Sequence, residues 1–292
     1  MSDSTVKTMA DHSGSDAGDA EIDEQVEIAA PKPASKTTGK RDAFAKLMSL
    51  KPKQAKTIHR FPYTKSGKPR DALGEYITRP ESFPPSVVIY HNDDFVAIHD
   101  KYPKSSLHLL LLPRDPTRSF QHPFDAFEDQ EFLAKVRAEV SKLHALAANE
   151  LRRRHGKVSE QERARQEAMD RIDPDSVETG EETLPPGRDW AKEIMCGVHA
   201  HPSMNHLHIH VISVDRHSPA MKHRKHYNSF ATPFFVGIND FPLAPDDPRR
   251  HPGREGYLKR DLVCWRCGKN FKNHFQELKK HLAAEYEEWR RL

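Results

Sequence analysis

The chain has 292 residues, a net charge of +3 at neutral pH and a hydrophobic fraction of only 36%. It has no apolar run near the roughly 18 residues that a membrane helix needs, and its three cysteines are too few for a disulfide framework. Composition therefore excludes a membrane-spanning or disulfide-stabilised protein, and predicts a soluble chain in a reducing compartment, with part of it disordered.

Charge is unevenly distributed along the chain. Residues 1–30 carry eight acidic residues and one lysine, whereas residues 215–292 carry sixteen Lys and Arg against ten Asp and Glu. This asymmetry predicts a polyanionic partner, most commonly nucleic acid. Residues 1–70 as a whole are predicted to be a disordered acidic tail followed by a basic linker. The basic linker fits a nuclear import signal, which would place the protein in the nucleus, and also fits a plain solvated linker.

Compact structure is predicted over residues 71–240. Hydrophobic periodicity indicates a helix at 72–77, strands at 86–90, 94–99 and 107–112, a long helix at 125–155, and strands at 193–199 and 205–213. A charged segment at about 152–188 has few aliphatic residues and is predicted to be a poorly ordered insertion. The fold class is therefore α+β, with about five antiparallel strands and helices on one face.

The most informative stretch is the last of these strands, residues 205–213. Because side chains alternate between the two faces of a strand, His206, His208 and His210 would share one face. A half-exposed strand that happens to carry histidines and a three-histidine metal site are two alternatives. The third is an imidazole that attacks phosphorus, with its neighbours holding phosphate oxygens. His199 could then return to the same pocket as a proton donor.

A second constellation follows a Pro-rich linker, within residues 241–292. Cys264 and Cys267 form a C-x2-C pair, and His281 and Glu285 stand four residues apart on a predicted helix. This spacing predicts a structural zinc finger, because the metal replaces a core that so short a segment cannot build. His274 is a rival fourth ligand, but seven residues separate it from His281, about 10.5 Å along a helix.

Basic and aromatic residues alternate after the histidine strand. Lys222, His223, Lys225 and Tyr227 are the residues that we expect to contact DNA, because cations track phosphates and aromatic rings stack on bases. A connecting helix with a solvated charged face explains the same pattern.

The sequence resembles a known family at several of these places. Residues 206–212 resemble the motif of the histidine triad superfamily of nucleotide hydrolases and transferases. Residues 100–104, 197–205 and 218–230, together with the finger, are similar to its aprataxin family in the fungal form, which is expected to lack the forkhead-associated domain of animal members. The resemblance implies the histidine triad fold and a DNA deadenylase, which removes AMP from 5′-adenylated ends left by abortive ligation.

The resemblance also implies a role for each site residue. His208 would be the nucleophile that takes AMP as a covalent adenylate, His206 and His210 would orient it and bind phosphate, and His199 would protonate the departing DNA phosphate. The remaining nucleotide contacts would be Asp100 to the ribose hydroxyls, Lys104 and Ser203 near phosphate, and Leu73 and Ile77 in the adenine pocket. Zinc would be structural, catalysis would need no metal, AMP would be the product, and the protein would be a monomer.

Two other functions remain open at this stage. The first is a hydrolase of small adenine nucleotides or nucleoside phosphoramidates, which uses the histidines but gives no role to the basic C-terminal third. The second is a zinc-dependent DNA-binding protein without catalysis, which needs only the finger and the basic residues.

Overall fold

The computed structural model describes residues 69–171 and 184–292. Nearly all of the predicted tail and linker over 1–70 therefore lies outside the described residues, as do residues 172–183 of the predicted insertion. Among the helices that the structure describes, none combines the length and apolar character that a membrane span requires.

A six-stranded antiparallel sheet forms the centre of the fold. Its strands are β1 (Val88–His91), β2 (Phe95–His99), β3 (His108–Pro113), β4 (Ile194–His199), β5 (Ile209–Ser213) and β6 (Phe235–Gly237), in the spatial order β1-β2-β3-β5-β4-β6. The predicted α+β class is confirmed, but the count of about five strands is one too low. The extra strand, β6, has three residues and pairs with β4, so it is too short to show an alternating pattern.

Helices flank this sheet and follow it along the chain. Those in the described ranges are α1 (Gly74–Thr78), α2 (Pro123–Ala126), α3 (Gln130–His155), α4 (Glu160–Arg171), α5 (Arg224–Ala231), α6 (Pro252–Glu255) and α7 (Phe275–Trp289). The predicted helix at 125–155 is divided in two. The Asp129 carboxylate accepts hydrogen bonds from the backbone N–H groups of Glu131 and Phe132, and this N-cap starts α3 afresh.

The two faces of the sheet have different partners. Leu109 and Leu111 of β3 and Val211 of β5 point into the main core, where α3 covers them. Leu110 and Leu112 point to the opposite face and pack with a smaller cluster that includes Ile77 of α1. Strand β3 is therefore buried on both faces, which explains its unbroken run of leucines. His210 of β5 lies on the face of the smaller cluster, because its neighbours Ile209 and Val211 point into the main core.

The prediction that residues 152–188 are poorly ordered is wrong for the part that the structure describes. The sequence of this segment has no strand-like or apolar pattern. In the structure, however, α3 continues to His155 and α4 begins at Glu160. Charged side chains hold α4 in place, since Glu162 accepts a hydrogen bond from the Trp190 indole at 2.9 Å and pairs with Arg152 at 3.2 Å. The sequence missed this helix because it buries no apolar face.

The C-terminal module packs on helices that flank the sheet. Its core of Leu262, Phe271, Leu278 and Leu282 is shared with Met221 and Tyr227 around α5. Trp289 at the end of α7 enters the main core beside Trp190. The finger and the sheet are therefore joined through two apolar contacts.

Candidate active site and metal centre

The three alternating histidines form a buried row on one face of the sheet. The predicted strand over 205–213 begins only at Ile209, because pairing with β3 ends at that residue. Residues before it bond to loops instead, as when the Leu207 N–H donates to the Ser119 carbonyl at 2.7 Å. His206, His208 and His210 are nevertheless all buried.

Backbone hydrogen bonding fixes the tautomer of the central histidine. Nδ1 of His208 lies 2.8 Å from the carbonyl oxygen of His206. A carbonyl can only accept, so Nδ1 carries the proton and Nε2 keeps its lone pair. Nε2 of His208 is therefore the ring nitrogen with the free lone pair.

His199 joins the row from the neighbouring strand. Gly197 of β4 is paired with His210, which brings the His199 ring to 4.5 Å from the His210 ring between centroids. Phe230 contacts it at 4.7 Å. Nε2 of His199 and Nε2 of His210 have no hydrogen-bond partner among the described residues, so both are available to a ligand.

His108, which was not predicted to belong to the site, contacts the histidine row at His210. Its Nε2 lies 2.9 Å from Nδ1 of His210, and the Lys104 backbone N–H donates to its Nδ1 at 3.1 Å. An accepting Nδ1 leaves the proton on Nε2, which donates to His210. Neutral His210 then carries its own proton on the free Nε2, in position to donate to a phosphate oxygen. The one available signal was a polar residue within an otherwise apolar strand.

Burial keeps these imidazoles neutral in the free protein. Desolvation lowers the pKa of His199 and of His210 well below the ordinary value, and nearby imidazoles reinforce the effect. Desolvation also lowers the pKa of His208 and of His206. The pKa of His108 falls to about 4, chiefly through burial. A neutral His208 is the form that can attack phosphorus.

The predicted nucleotide contacts are distributed around this row. An oxygen of the Asp100 carboxylate lies 3.3 Å from Nδ1 of His108, so Asp100 adjoins the histidine row. Lys104 donates through Nζ to the Tyr102 carbonyl at 2.6 Å, on the same loop. Leu73 and Ile77 are buried together in the smaller core cluster. Their roles toward a nucleotide stay predictions.

Ser203 is exposed, and its carbonyl accepts a hydrogen bond from Nε of Arg70 at 2.8 Å. This contact fixes the backbone of the turn that precedes the histidine row. The proposed contact of Ser203 with phosphate also stays a prediction.

The predicted DNA-contacting residues separate into two groups. Lys222, His223 and Lys225 are exposed at the start of α5. Tyr227 is fully buried, and its hydroxyl donates to the Val263 carbonyl at 2.8 Å and accepts from the Trp265 N–H at 3.0 Å. A direct contact between Tyr227 and DNA was therefore a wrong prediction, because this side chain joins α5 to the finger.

The four predicted finger ligands converge. Ligand atoms of Cys264, Cys267, His281 and Glu285 all lie within 4.8 Å of one another. Sγ of Cys267 is 3.2 Å from Nε2 of His281, which is 3.1 Å from a Glu285 oxygen. Two sulfurs, one nitrogen and one oxygen suit a single tetrahedral Zn²⁺.

The rival ligand, His274, is remote from this group. It is exposed at the beginning of α7 and faces Glu277 at 3.7 Å. Arg266 donates to Glu285 at 2.6 Å and so holds the carboxylate from outside the cluster.

Comparison with known families matches two segments of the chain. The HIT domain family matches residues 82–217, and the C2HE / C2H2 / C2HC zinc-binding finger family matches residues 231–288. The first segment holds the histidine row and the second holds the four converging ligands. Both parts of the predicted architecture are therefore confirmed at the level of families.

Several known proteins are similar to this chain over about two thirds to three quarters of its length. The aprataxin-like protein of Schizosaccharomyces pombe is 38% identical over 224 residues, covering 75% of this chain and 82% of the relative. The aprataxin-like protein of Saccharomyces cerevisiae is 37% identical over 223 residues, covering 74% and 95%. Aprataxin of Danio rerio is 31% identical over 205 residues, covering 68% of this chain and 50% of the relative.

Solved structures give a concordant result. A crystal structure of the aprataxin ortholog Hnt3 in complex with DNA aligns with a TM-score of 0.57 at 33% identity, over 75% of this chain and 96% of that one. A structure of Hnt3 in complex with DNA and guanosine also aligns with a TM-score of 0.57, at 35% identity over 75% and 96%.

Proposed function

Because this chain belongs to the aprataxin family, we propose that it is a DNA-processing hydrolase that removes AMP from 5′-adenylated DNA ends. The observation that carries the proposal is a pair of neighbouring imidazoles with complementary tautomers, His208 and His210, whose ring centroids lie 4.9 Å apart. The lone pair on Nε2 of His208 supplies a nucleophile, and the proton on Nε2 of His210 supplies a donor to a phosphate oxygen.

The reaction proceeds in two displacements. Nε2 of His208 attacks the phosphorus of the AMP moiety, a P–N bond forms, and the anhydride P–O bond to the DNA 5′-phosphate breaks. Water then attacks the same phosphorus and gives up a proton to His199, the P–N bond breaks, and AMP leaves with His208 restored. Hydrogen bonds from His210 and His206 stabilise the charge on the non-bridging oxygens in both steps.

His199 is the proposed proton donor to the departing DNA phosphate. Burial holds its pKa well below the ordinary value in the free protein. Two bound phosphates add negative charge within a few ångströms and raise the pKa of an imidazole. The acid form of His199 is therefore produced by substrate binding.

DNA enters the proposal through charge and through the relatives. Lys222, His223 and Lys225 are exposed beside the finger, and they suit contacts with the phosphate backbone. Two of the Hnt3 structures that this chain resembles are complexes with DNA. A zinc ion held by the four converging finger residues would supply the structural centre of that module and take no part in the chemistry. We further propose that the protein acts in the nucleus, because the substrate of the proposed activity is DNA.

Rates on two adenylated substrates test this proposal. A 5′-adenylated nick and AMP-lysine both contain the AMP group, but only the nick has DNA as its leaving group. We expect kcat/KM to be at least roughly a hundred-fold higher for the nick, because the basic surface adds binding energy. Equal values would favour a hydrolase of small adenylates. Undiminished AMP release by His208→Ala would exclude the histidine row as the catalytic centre.

A further inference from the structure

A cavity of about 460 Å³ lies beside His206, and its wall includes Ile77, Asp93, Arg114 and Phe120. His206 stands at one end of the histidine row, whereas Asp100 and His108 adjoin His210 at the other. The cavity therefore opens next to the reaction site, on the side away from the Asp100 carboxylate. Its volume lies within the range of small-molecule sites.

Phe120 forms an aromatic platform at this cavity. Its side chain is 62% exposed, and its ring lies 4.4 Å from the His206 ring between centroids, tilted by 42°. One face of a large apolar ring is thus covered by a site histidine and much of the rest faces solvent. An exposed phenylalanine of this kind suits stacking with a planar ligand.

The loop that carries Phe120 is well fixed. The backbone N–H groups of Arg118 and Ser119 donate to the Asp115 carbonyl at 3.0 and 2.9 Å, and the Ser119 carbonyl accepts from Leu207 at 2.7 Å. The platform is therefore attached directly to the histidine segment. A ligand that stacks there gains binding energy without the cost of ordering the loop.

Charged groups of both signs complete the cavity. Nε of Arg114 donates to the Ile77 carbonyl at 3.2 Å and Nη1 donates to the Asn92 carbonyl at 2.6 Å, which orients the guanidinium. The Asp93 carboxylate lies on the same wall and disfavours a phosphate group there. The edge of a nucleobase carries both donors and acceptors, and matches a carboxylate together with a guanidinium.

The adenine of the AMP group is a poor candidate for this place. Leu73, Asp100, Lys104 and Ser203, the predicted contacts of that nucleotide, are not part of the cavity wall, and Ile77 alone is shared. Gly74 of α1 approaches so closely that an added Cβ would lie 3.0 Å from Nε2 of His206. The backbone of α1 at Gly74 thus lies directly against the His206 ring, and it forms part of the cavity wall.

We propose that this cavity holds an unpaired nucleobase of the DNA end, stacked on Phe120 beside His206. The inference rests on the proposed function and specifies it: the preferred substrate is an adenylated end with a base that has lost its partner. That base could belong to the adenylated strand or to the opposite strand, and the chemistry of recognition is the same for both.

A thermodynamic cycle between protein and DNA tests the proposal. Adenylated duplexes carry either an unpaired base or an abasic residue at the end, in one strand or the other. Phe120→Ala is expected to raise KM roughly ten-fold for the base-bearing substrate, the usual range for loss of one base–aromatic stack. It should leave KM nearly unchanged for the abasic substrate whose missing base is the one that stacks, because that partner is already gone. The strand in which an abasic residue cancels the rise in KM caused by Phe120→Ala is the strand that supplies the stacked base.

Three controls complete the design. Phe120→Trp should restore KM, since it keeps the stacking surface. Leu146→Ala removes another exposed apolar side chain, 47% exposed on α3, and should change nothing. Turnover of AMP-lysine by Phe120→Ala should match the unmodified protein, because this substrate has no DNA base.

Several results would overturn the inference. The first is an equal change in KM of Phe120→Ala on base-bearing and abasic DNA, and the second is no change on either substrate. The third is an equal loss of turnover with AMP-lysine, which would mean that Phe120 only supports His206. If no adenylated DNA is turned over at all, the proposed function fails. The same cycle measured as the Kd for unadenylated ends then still decides whether a base stacks on Phe120.

Discussion

Arg188 connects the catalytic sheet to the end of the finger helix, and its removal should destabilise the whole protein. Its side chain is 3% exposed and donates to Glu193 at 2.9 Å and to the Trp289 carbonyl at 2.6 Å. The guanidinium also lies between two indoles, 4.3 Å from the Trp190 ring and 4.8 Å from the Trp289 ring. Arg188→Ala removes all of these contacts together.

The size of the effect follows from what remains buried. Loss of one member of a buried ion pair costs about 3–5 kcal/mol. Glu193 is 20% exposed and keeps a hydrogen bond from the Trp289 indole at 2.7 Å, so we expect the lower end, about 3 kcal/mol. For a protein of this size, this corresponds to a fall in Tm of about 6–12 °C.

Thermal unfolding followed by tryptophan fluorescence measures the change, because Trp190 and Trp289 flank the arginine. Arg153→Ala is the matched control: that side chain is 72% exposed and pairs with Glu150 at 2.7 Å, so its loss should cost at most about 0.5 kcal/mol. Equal Tm values for the two variants would refute the reasoning that this contact couples the sheet to the finger.

Three further outcomes follow from the site. His108→Gln should lower kcat on AMP-lysine roughly ten- to a hundred-fold, the scale of losing one oriented donor, with KM nearly unchanged; a change confined to KM would contradict the role of His108 in orienting His210. Burial lowers the folded-state pKa of His108, His199 and His210 below about 6.5, so the unfolded state binds more protons and the free energy of unfolding should fall as pH drops from about 6.5 toward 4. Urea titrations check this, and a pH-independent value would contradict neutral buried imidazoles. Zinc content by atomic emission should be one ion per chain, lost in Glu285→Ala, retained in Glu285→His and unaffected by His274→Ala; zinc loss in the His274 variant would contradict the assigned ligands.

The sheet could be predicted from sequence because its central strands are short, mostly apolar runs that are buried on both faces. Leu109 and Leu111 face one core and Leu110 and Leu112 the other, and such runs have no other stable arrangement. The three residues of β6 carry too little pattern to detect, and they acquire their strand geometry from pairing with β4. Helix α4 was missed for a related reason, since ion pairs and not an apolar stripe hold it.

The site was predictable where chemistry leaves a local signature. Cys264, Cys267, His281 and Glu285 converge because their spacing in sequence already brings them together on a knuckle and one helix. His108 and Phe120 depend on contacts across the fold, with His210 and His206 respectively. No local pattern identifies such partners. Tyr227 illustrates the opposite error, because a basic neighbourhood suggested a surface residue that the finger covers.

The central claim is that Nε2 of His208 becomes bonded to AMP during turnover. Excess 5′-adenylated DNA labelled in the AMP group is mixed with the protein. The reaction is stopped in alkali, which preserves a P–N bond, and the protein is then digested to locate the label. We predict a transient, acid-labile AMP on the peptide that contains His208, absent from His208→Ala, whose AMP release should also be abolished. Release of AMP at the full rate with no label on the protein, or with label on another residue, would contradict the account.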